Sequence, residues 1–408
     1  MPPRHAASRL SAAGRKRDRN RREDGGRYMT ATVNRSAVRV VHITTVHRPF
    51  DTRIFSKQAV TLAAAGYDVA LVQQGENPDK RSGVEILPIP TYRSRLLRMT
   101  AGVARAVGHA VRHRAQVVHI HDLELVWGGL LLKATGRRVI YDIHEDVAKD
   151  LDDKAYLPGW IVPVARAAVV VFERFAERIF DAQCAATRAI AARFKRGSTR
   201  LIRNTPIVDE LVAPTNRPFA ERAPVAAYVG GLAAFNGAAS MVEAIGLFPQ
   251  DSPIHLVMGG RFPDDRFQAD VQALSGWRKV DFRGWVDRPQ MAAILADARC
   301  GLVVYHPTPN VIESEPNKFF EYLTAGLPLI ASDFPAWRAF VEEHRCGILV
   351  DPHDPRAIAD AITYLIEHPE EAEAMGQRGR SAVLTDYNWE TDAARLVALY
   401  DELTHASA

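Results

Sequence analysis

Two successive series of short, almost wholly apolar segments, each alternating with helical segments, constrain the fold of this chain more than any other feature. Segments 38–44 and Val225–Val229 are rich in valine, isoleucine or alanine and have little of the polar alternation of a half-exposed strand. Such runs are typical of parallel strands that helices cover on both faces. The sequence therefore predicts an α/β fold made of two doubly wound, Rossmann-like units.

Each series contains several predicted elements. In the first unit, strands are predicted at 38–44, 68–73, 117–120 and 138–142, with a helix at 53–65. In the second unit, strands are predicted at 225–229, 254–258, 279–283, 300–304, 328–332 and 347–350, with helices at 239–247, 267–274, 288–296 and 317–324. Because ligands bind beyond the carboxyl ends of such strands, we expect a site where the two units face a common cleft.

The chain divides into five predicted segments. They are a disordered basic tail (1–36), a first domain (37–205), a proline-rich linker (206–224), a second domain (225–388) and a final helix (389–408). Residues 1–30 hold nine basic and three acidic residues, a net of +6 in a chain of net +4, so the remainder carries −2. The tail is too polar to form a core. A start codon assigned upstream of Met29 and a genuine tail that touches anionic lipid are both open.

Composition excludes several classes of protein. A near-neutral folded part gives no basic surface for nucleic acid. Three scattered cysteines form no disulfide framework or metal motif and fit a reducing cytoplasm. No apolar run has the length of a membrane span, since the longest, 160–172, contains Arg166. Glycine motifs for dinucleotides and P-loop phosphates are absent from both units.

The most informative local pattern joins two glutamates, Glu313 and Glu321, eight positions apart. Pro316 between them is typical of a helix start, and Gly326 of a helix end. The free N–H groups and dipole of such a helix attract an anion, and Lys318 adds a positive charge. Carboxylates on either side of that point could bind hydroxyl groups flanking a diphosphate. The structural alternative is a surface helix with solvated acids.

This pattern, Glu-x7-Glu followed by Tyr-x-x-Ala-Gly-x-Pro, resembles the donor site of retaining glycosyltransferases of family 4, which have the GT-B fold. The resemblance implies two Rossmann-like domains facing a central cleft and a final helix that crosses back to the first domain. It implies that Glu313 contacts the transferred sugar and that Glu321 holds the ribose. Asn317 and Lys318 are predicted to bind the donor with them.

The first predicted helix follows a loop that carries Asp51 and Arg53. An Asp-x-Arg sequence at this place also resembles family 4 enzymes. It predicts that both residues lie on the acceptor side and that Arg53 contacts the acceptor. Capping of the helix by Asp51 is the structural alternative.

Polar clusters end two further predicted strands, with His121 and Asp122 in one and His144 in the other. Buried polar residues are costly unless a site uses them. The resemblance implies that His144 approaches the donor sugar and the reacting hydroxyl, where it is predicted to be catalytic, while His121 and Asp122 orient the acceptor. Satisfied core histidines are the alternative. We predict no metal site, and the Asp-x-Asp of 150–152 is interpreted as a solvated charged run.

The loop after Val225–Val229 begins with Gly230 and Gly231, which suits a close approach to phosphate. It departs from the family, because an arginine and a lysine that commonly clamp the diphosphate are missing. Lys318, the helix N-terminus or Arg261 would have to meet the phosphate charge. This departure keeps a non-catalytic nucleotide-sugar binder open as an alternative.

Together these features predict a metal-independent, cofactor-free retaining transferase that acts on a nucleotide-diphosphate sugar. The predicted acceptor is a glycan or a lipid-linked acceptor in cell-surface or exopolysaccharide synthesis, and nucleic acid is not a predicted partner. We expect a cytoplasmic protein, and the basic, apolar-striped segment 92–114 leaves peripheral contact with an anionic membrane open. A nucleotide-sugar epimerase or hydrolase of the same fold is the other alternative.

Overall fold

The computed structural model describes residues 35–144, 161–211 and 217–405 of the chain. Most of the predicted basic tail, residues 1–34, lies outside the described residues, and so does the Asp-x-Asp of 150–152.

Eight strands of the described chain form the first sheet. They are β1 (Arg39–Ile43), β2 (Asp68–Gln74), β3 (Asp79–Arg81), β4 (Val84–Ile89), β5 (Val117–Ile120), β6 (Arg138–Ile143), β7 (Ala182–Ala185) and β8 (Thr199–Leu201). Their order is β3-β4-β2-β1-β5-β6-β7-β8, and only the β3–β4 pair is antiparallel. The order reverses at β1, which lies between β2 and β5, so a ligand crevice is expected beyond its carboxyl end.

Six strands form the second sheet. They are β9 (Val225–Val229), β10 (His255–Gly259), β11 (Val280–Phe282), β12 (Cys300–Val303), β13 (Leu329–Ser332) and β14 (Gly347–Val350). The order is β11-β10-β9-β12-β13-β14, and every pair is parallel. Here the order reverses at β9. The predicted α/β class with two parallel, doubly wound sheets is confirmed.

Helices cover both sheets. The α-helices are α1 (Val60–Ala64), α2 (Arg95–Leu97), α3 (Val103–Arg112), α4 (Val126–Ala134), α5 (Ile161–Ile179), α6 (Arg188–Ala192), α7 (Ala238–Ile245), α8 (Asp265–Gln272), α9 (Arg288–Asp297), α10 (Pro309–Ile312), α11 (Asn317–Thr324), α12 (Pro335–His344), α13 (Pro355–Glu367), α14 (Pro369–Thr385) and α15 (Trp389–His405). The predicted helix at 53–65 is a π-helical segment, Thr52–Ala59, that continues into α1. None of the described helices has the length and apolarity needed to cross a bilayer.

Burial on both faces of the first sheet explains its apolar strands. Val40 and Val41 are adjacent and fully buried, yet they belong to different core layers, one with Leu396 of α15 and the other with Val103 of α3. Successive strand side chains point to opposite faces, so a strand between two helical layers has no exposed position.

The last helix, α15, packs on the first sheet although it follows the second sheet in the chain. Trp389 Nε1 donates a hydrogen bond to Thr61 Oγ1 at 2.9 Å. Asp401 accepts one from the hydroxyl of Tyr67 at 2.6 Å and forms an ion pair with Arg35. These contacts join the end of the chain to its first strands and helices.

Candidate active site

The predicted strand-end cluster of the first domain exists, and His47 is an additional member. β1 pairs with β5 and β5 with β6, so the loops that follow these strands are neighbours. His47 Nδ1 lies 2.9 Å from Asp122 Oδ1, and His47 Nε2 lies 3.0 Å from His144 Nε2. The structure therefore brings Asp122 and His144 together through a histidine to which the sequence analysis assigned no role.

Asp122 is held in its ionised form. Its Oδ2 accepts hydrogen bonds from Thr45 N at 2.6 Å and from the hydroxyls of Thr44 and Thr45 at 3.1 and 3.2 Å. Burial alone would raise the pKa of this carboxyl, but His47 and the Thr45 N–H bring that pKa below its usual value. We therefore assign the Nδ1 proton of His47 to the bond with Asp122, which leaves His47 Nε2 to accept from His144.

His144 is the accessible end of this unit. Its side chain is 15% exposed and, with His47, it lines a cavity of about 530 Å³. Nδ1 of His144 lies 3.6 Å from Asp142 Oδ2, which is longer than a hydrogen bond. Among the described residues no hydrogen-bond partner is present for that nitrogen. That nitrogen is itself buried, so a group entering the cavity meets the partly exposed ring of His144, and Nδ1 becomes available only if the ring turns.

Arg53 does not lie where the sequence analysis placed it. It is buried, and its Nε and Nη2 donate to the two oxygens of Asp142 at 2.9 and 2.6 Å, while Nη2 also donates to Ile202 O at 2.8 Å. A guanidinium used in this way cannot contact an acceptor, so that prediction is wrong. Asp51 caps the helix start by accepting from the backbone N–H groups of Arg53 and Ile54. Any acceptor contact by Asp51 stays a prediction.

His121 is also buried, which favours the structural alternative. It lies 3.0 Å from Asp142 through Nδ1 and 2.9 Å from His42 Nδ1 through Nε2. The hydroxyl of Tyr400 continues this chain, at 3.3 Å from His42 Nε2 and 2.9 Å from His119 Nδ1. Asp142 thus contacts the imidazole of His121, and Tyr400 contacts those of His42 and His119.

Three of these imidazoles could in principle bind a metal. Nitrogen atoms of His42, His119 and His121 lie within 4.8 Å of one another and are all buried. Burial holds the pKa of His42 and of His119 well below the ordinary histidine value, so both are neutral. Neutral tautomers satisfy the bonds among these rings, Asp142 and Tyr400, whereas the buried His119 Nε2 has no partner among the described residues. Metal independence stays a prediction.

In the second domain, Gly230 and Lys318 form the centre of the predicted donor site. Gly230 has φ of 156°, and a Cβ at this position would lie 2.0 Å from Cε and 2.2 Å from Nζ of Lys318. Gly260 approaches from the other side, where a Cβ would lie 1.8 Å from Gly230 O. Only glycine fits at both positions. The ammonium group of Lys318 therefore lies against the loop that lacks its own cations.

Lys318 belongs to the first turn of α11, which begins as the sequence predicts at Asn317. Its N-cap, Pro316, makes no side-chain capping bond. Phe319 N donates to Pro316 O at 3.0 Å, which leaves the N–H groups of Asn317 and Lys318 to face an anion beside the ammonium group.

The two glutamates differ in exposure and in position relative to α11. Glu313 is exposed and follows α10, before the start of α11. Glu321, inside α11, accepts a hydrogen bond from Arg288 Nη1 at 2.6 Å, and Arg288 Nε reaches Glu210 at 3.1 Å. Glu321 thus enters the site with an arginine partner that the sequence analysis did not identify.

A second missed residue is Lys57, which lines a cavity of about 190 Å³ together with Arg288 and Glu321. Lys57 Nζ donates to the side chain and backbone oxygens of Asn204 at 2.7 and 3.0 Å. Burial lowers the pKa of Lys57 to about 7, against the opposing charge of Glu321. Its position one helical turn after Arg53, on the same buried face, is the only sequence signal for it.

Arg261 and Trp285 border the glycine loop. Arg261 O accepts a hydrogen bond from Leu232 N at 3.0 Å, which brings its backbone close to Gly230 and Gly231, and its contact with phosphate stays a prediction. Its guanidinium lies 5.6 Å from the ring centre of Trp285, an indole that is 61% exposed. The sequence analysis did not predict an exposed aromatic ring beside the glycine loop.

Two family descriptions match this chain along most of its length. Residues 52–208 match the family described as Glycosyl transferase 4-like domain, and residues 213–382 match Glycosyl transferases group 1. The chain belongs to the group 1 glycosyltransferases. The predicted resemblance is thereby confirmed at the level of group 1 glycosyltransferases, and solved structures confirm the GT-B fold, while family 4 and the retaining mechanism stay predictions.

Solved structures of low sequence identity share this group 1 glycosyltransferase's fold. Sucrose-phosphate synthase from Thermosynechococcus elongatus superimposes with a TM-score of 0.72 at 21% identity, over 90% of this chain and 100% of that one. Anabaena HepE in complex with UDP-glucose gives 0.68 at 12% identity, over 89% and 99%.

Sequence relatives match this group 1 chain over a shorter length. The D-inositol 3-phosphate glycosyltransferase of Corynebacterium glutamicum is 28% identical over 186 residues, which are 44% of this chain. The match spans 43% of that relative, less than half of its length.

Proposed function

We propose that this protein transfers a sugar from a nucleotide-diphosphate donor to a hydroxyl group of a glycan or lipid-linked acceptor in cell-surface polysaccharide synthesis. Transfer proceeds with retention at the sugar carbon and without a metal. The contact between Lys318 and Gly230 at the uncapped start of α11 carries the proposal. A positive charge, free N–H groups and a glycine loop are the elements of a diphosphate site.

The groups around this contact fit the rest of the donor. Glu321 receives the ribose hydroxyls while Arg288 holds its carboxylate in place, and Glu313 receives the sugar. The exposed ring of Trp285 offers a surface to the base. Anabaena HepE was solved with UDP-glucose, which makes a UDP-sugar a reasonable first donor to assay.

The proposed chemistry needs no protein nucleophile. The acceptor hydroxyl attacks on the face from which the diphosphate departs, and a leaving phosphate oxygen takes its proton. Lys318 and the α11 N-terminus stabilise the charge that grows on that phosphate. His144, backed by His47 and Asp122, positions the hydroxyl and the sugar.

A thermal-shift panel of UDP-, GDP- and ADP-sugars tests donor binding, and product analysis with the best donor tests transfer. We expect Glu313→Ala and Glu321→Ala to reduce transfer severely while the folded state survives. Glu343→Ala, which changes an exposed acid on α12, is the control. Activity like that of the unmodified protein in both site variants would rule out the assignment.

The products distinguish the alternatives. Free or isomerised sugar would indicate a hydrolase or epimerase. Calorimetric nucleotide binding without turnover of any acceptor would indicate a non-catalytic binder, the alternative favoured by Gly231, Ala233 and Ala234 in a loop without arginine or lysine.

A further inference from the structure

The cavity that contains His47 and His144 is mainly apolar away from these residues. Its volume is about 530 Å³. The apolar part is formed by Met99, Leu123, Trp127, Ala168, Val169 and Phe172. Polar chemistry at one end and apolar walls at the other are typical of a site for an amphipathic small molecule.

An exposed apolar stripe on α5 continues from this cavity. No residue of 161–172 is fully buried, although eleven of its twelve residues are uncharged and nearly all are apolar. Val164 and Val171 are each 67% exposed, and Phe175 is 45% exposed. With Ala168 these positions follow spacings of four, three and four residues, so they lie along one side of the helix. The cavity wall and the stripe form one surface.

Met99 forms another wall of the cavity, and Leu96 and Leu97, near it in the chain, are exposed but do not line the cavity. Leu96 is 70% exposed, Leu97 is 54% exposed and Met99 is 37% exposed. Trp127 Nε1 donates to Met99 O at 3.0 Å, which holds this wall against α4. Contiguous exposed apolar surface of this kind marks a binding surface.

Two arginines that line the cavity, Arg95 and Arg98, indicate the charge of the ligand. Arg98 forms an ion pair with Glu124 at 2.8 Å, so its charge is already balanced. Arg95 is exposed, lines the same cavity and forms no ion pair with any residue that the structure describes. An available guanidinium beside an apolar wall fits a phosphate attached to an apolar chain.

We propose that the acceptor is lipid-linked and that this cavity, which we call the acceptor groove, binds it. The reacting hydroxyl lies at His144, a phosphate lies at Arg95, and the apolar chain follows Val169 and the α5 stripe. This inference rests on the proposed function, because that function places the reaction at His144. A water-soluble sugar acceptor would leave the apolar walls unused, and a protein surface would not enter a cavity of this size.

Calorimetry on the full chain with farnesyl phosphate, geranyl phosphate, farnesol and inorganic phosphate tests this inference. Farnesyl phosphate is expected to bind at least about tenfold more tightly than geranyl phosphate, because each buried methylene strengthens binding roughly fourfold. Inorganic phosphate is expected not to bind. Arg95→Ala should weaken farnesyl phosphate and leave farnesol unchanged.

Val169→Asp should weaken farnesyl phosphate at least tenfold. Leu131→Asp is the matched control, since Leu131 is 53% exposed on α4 and does not line the groove. Equal affinities in these two variants, or equal binding of inorganic and farnesyl phosphate, would overturn the inference. A change of oligomeric state in Val171→Asp would also overturn it, because the stripe would then be an interface between two copies.

Nucleotide-sugar binding, measured on the same samples, separates the two proposals. Donor binding without farnesyl phosphate binding contradicts the lipid-linked acceptor alone. Farnesyl phosphate binding in the groove without binding of any nucleotide sugar contradicts the proposed transferase and leaves the apolar phosphate site in place.

Discussion

His144 Nε2 lies 3.0 Å from His47 Nε2, and an oxygen of Asp122 lies 2.9 Å from the other nitrogen of His47. The carboxylate therefore sets the tautomer of His47, which in turn determines what His144 presents to the cavity. In the proposed reaction His47 acts through His144 and is a positioning residue, whereas His144 is the residue proposed to contact the substrate.

We expect His144→Ala to lower kcat by about a hundredfold, a typical contribution of a positioned histidine. His47→Asn should lower kcat about tenfold or more and change the shape of the pH–rate profile, with little effect on the KM of the donor. Steady-state assays across pH measure both. His405→Asn, an exposed histidine at the end of α15, is the control. An unchanged pH profile in His47→Asn would contradict the positioning role.

The contact between Gly230 and Lys318 leads to a second prediction. Lys318→Met should weaken nucleoside-diphosphate binding by about 10- to 100-fold, since a hydrogen bond to a charged group contributes about 1.5–3 kcal/mol. Gly230→Ala should have a similar effect, because the new Cβ occupies the position of the ammonium group. Calorimetry compares them with Gly75→Ala, whose Cβ would make an ordinary contact at 3.7 Å. Equal affinities in all three proteins would contradict the phosphate site.

Lys57 should make the stability of the protein depend on pH. Burial lowers its pKa from 10.5 to about 7, so between these values the unfolded chain binds more protons than the folded one. The free energy of unfolding contributed by Lys57 therefore rises as the pH increases from about 7 to 10.5. Below about pH 7 the side chain is charged in both states, so the folded protein bears the full cost of burying that charge. Thermal melts should show that Lys57→Met loses this rise and that Lys80→Met, at an exposed position, keeps it. A rise that persists in Lys57→Met would show that another group is responsible.

The buried ion pair of Arg53 and Asp142 should be critical for folding of the first domain. Asp142→Asn is expected to lower the free energy of unfolding by about 3–5 kcal/mol, because it leaves the Arg53 charge buried without its partner. Denaturant unfolding measures the loss. Asp333→Asn, which breaks the exposed pair with Arg338, should cost about 1 kcal/mol or less. The double variant Arg53→Met with Asp142→Leu should recover part of the loss. If its loss of unfolding free energy equals the sum of the losses in Arg53→Met alone and Asp142→Leu alone, the two residues are not coupled.

Several strands were predicted almost to the residue, whereas β4 was missed although its sequence is largely apolar. β5, β9 and β14 match their predicted bounds, and so does α11 with its proline start. Periodicity and helix-end chemistry are local properties, so the sequence reveals them directly. β7, with the sequence Ala-Gln-Cys-Ala, was missed because nothing in its composition favours a strand. Its burial between β6 and β8 creates it.

At the site, the sequence predicted that the polar clusters ending two neighbouring strands of the first sheet would lie close together, and the structure places Asp122 and His144 on either side of His47. The sequence analysis misplaced Arg53, because a local motif does not reveal a partner that is distant in the chain. Asp142, the buried carboxylate that pairs with the Arg53 guanidinium, lies 89 positions away. Arg288 and Lys57 were missed for the same reason, since their partners lie in other elements.

By itself, the sequence determined two parallel α/β sheets and a helix that presents Lys318 to an anion, since both follow from apolar periodicity and local backbone chemistry. Only the tertiary structure decided that Lys318 reaches Gly230 and that His47 links Asp122 to His144. It alone also decided that Arg53 is buried in an ion pair with Asp142. Those relationships depend on which side chains converge after the sheets form, and on the pairing that buried charges then require.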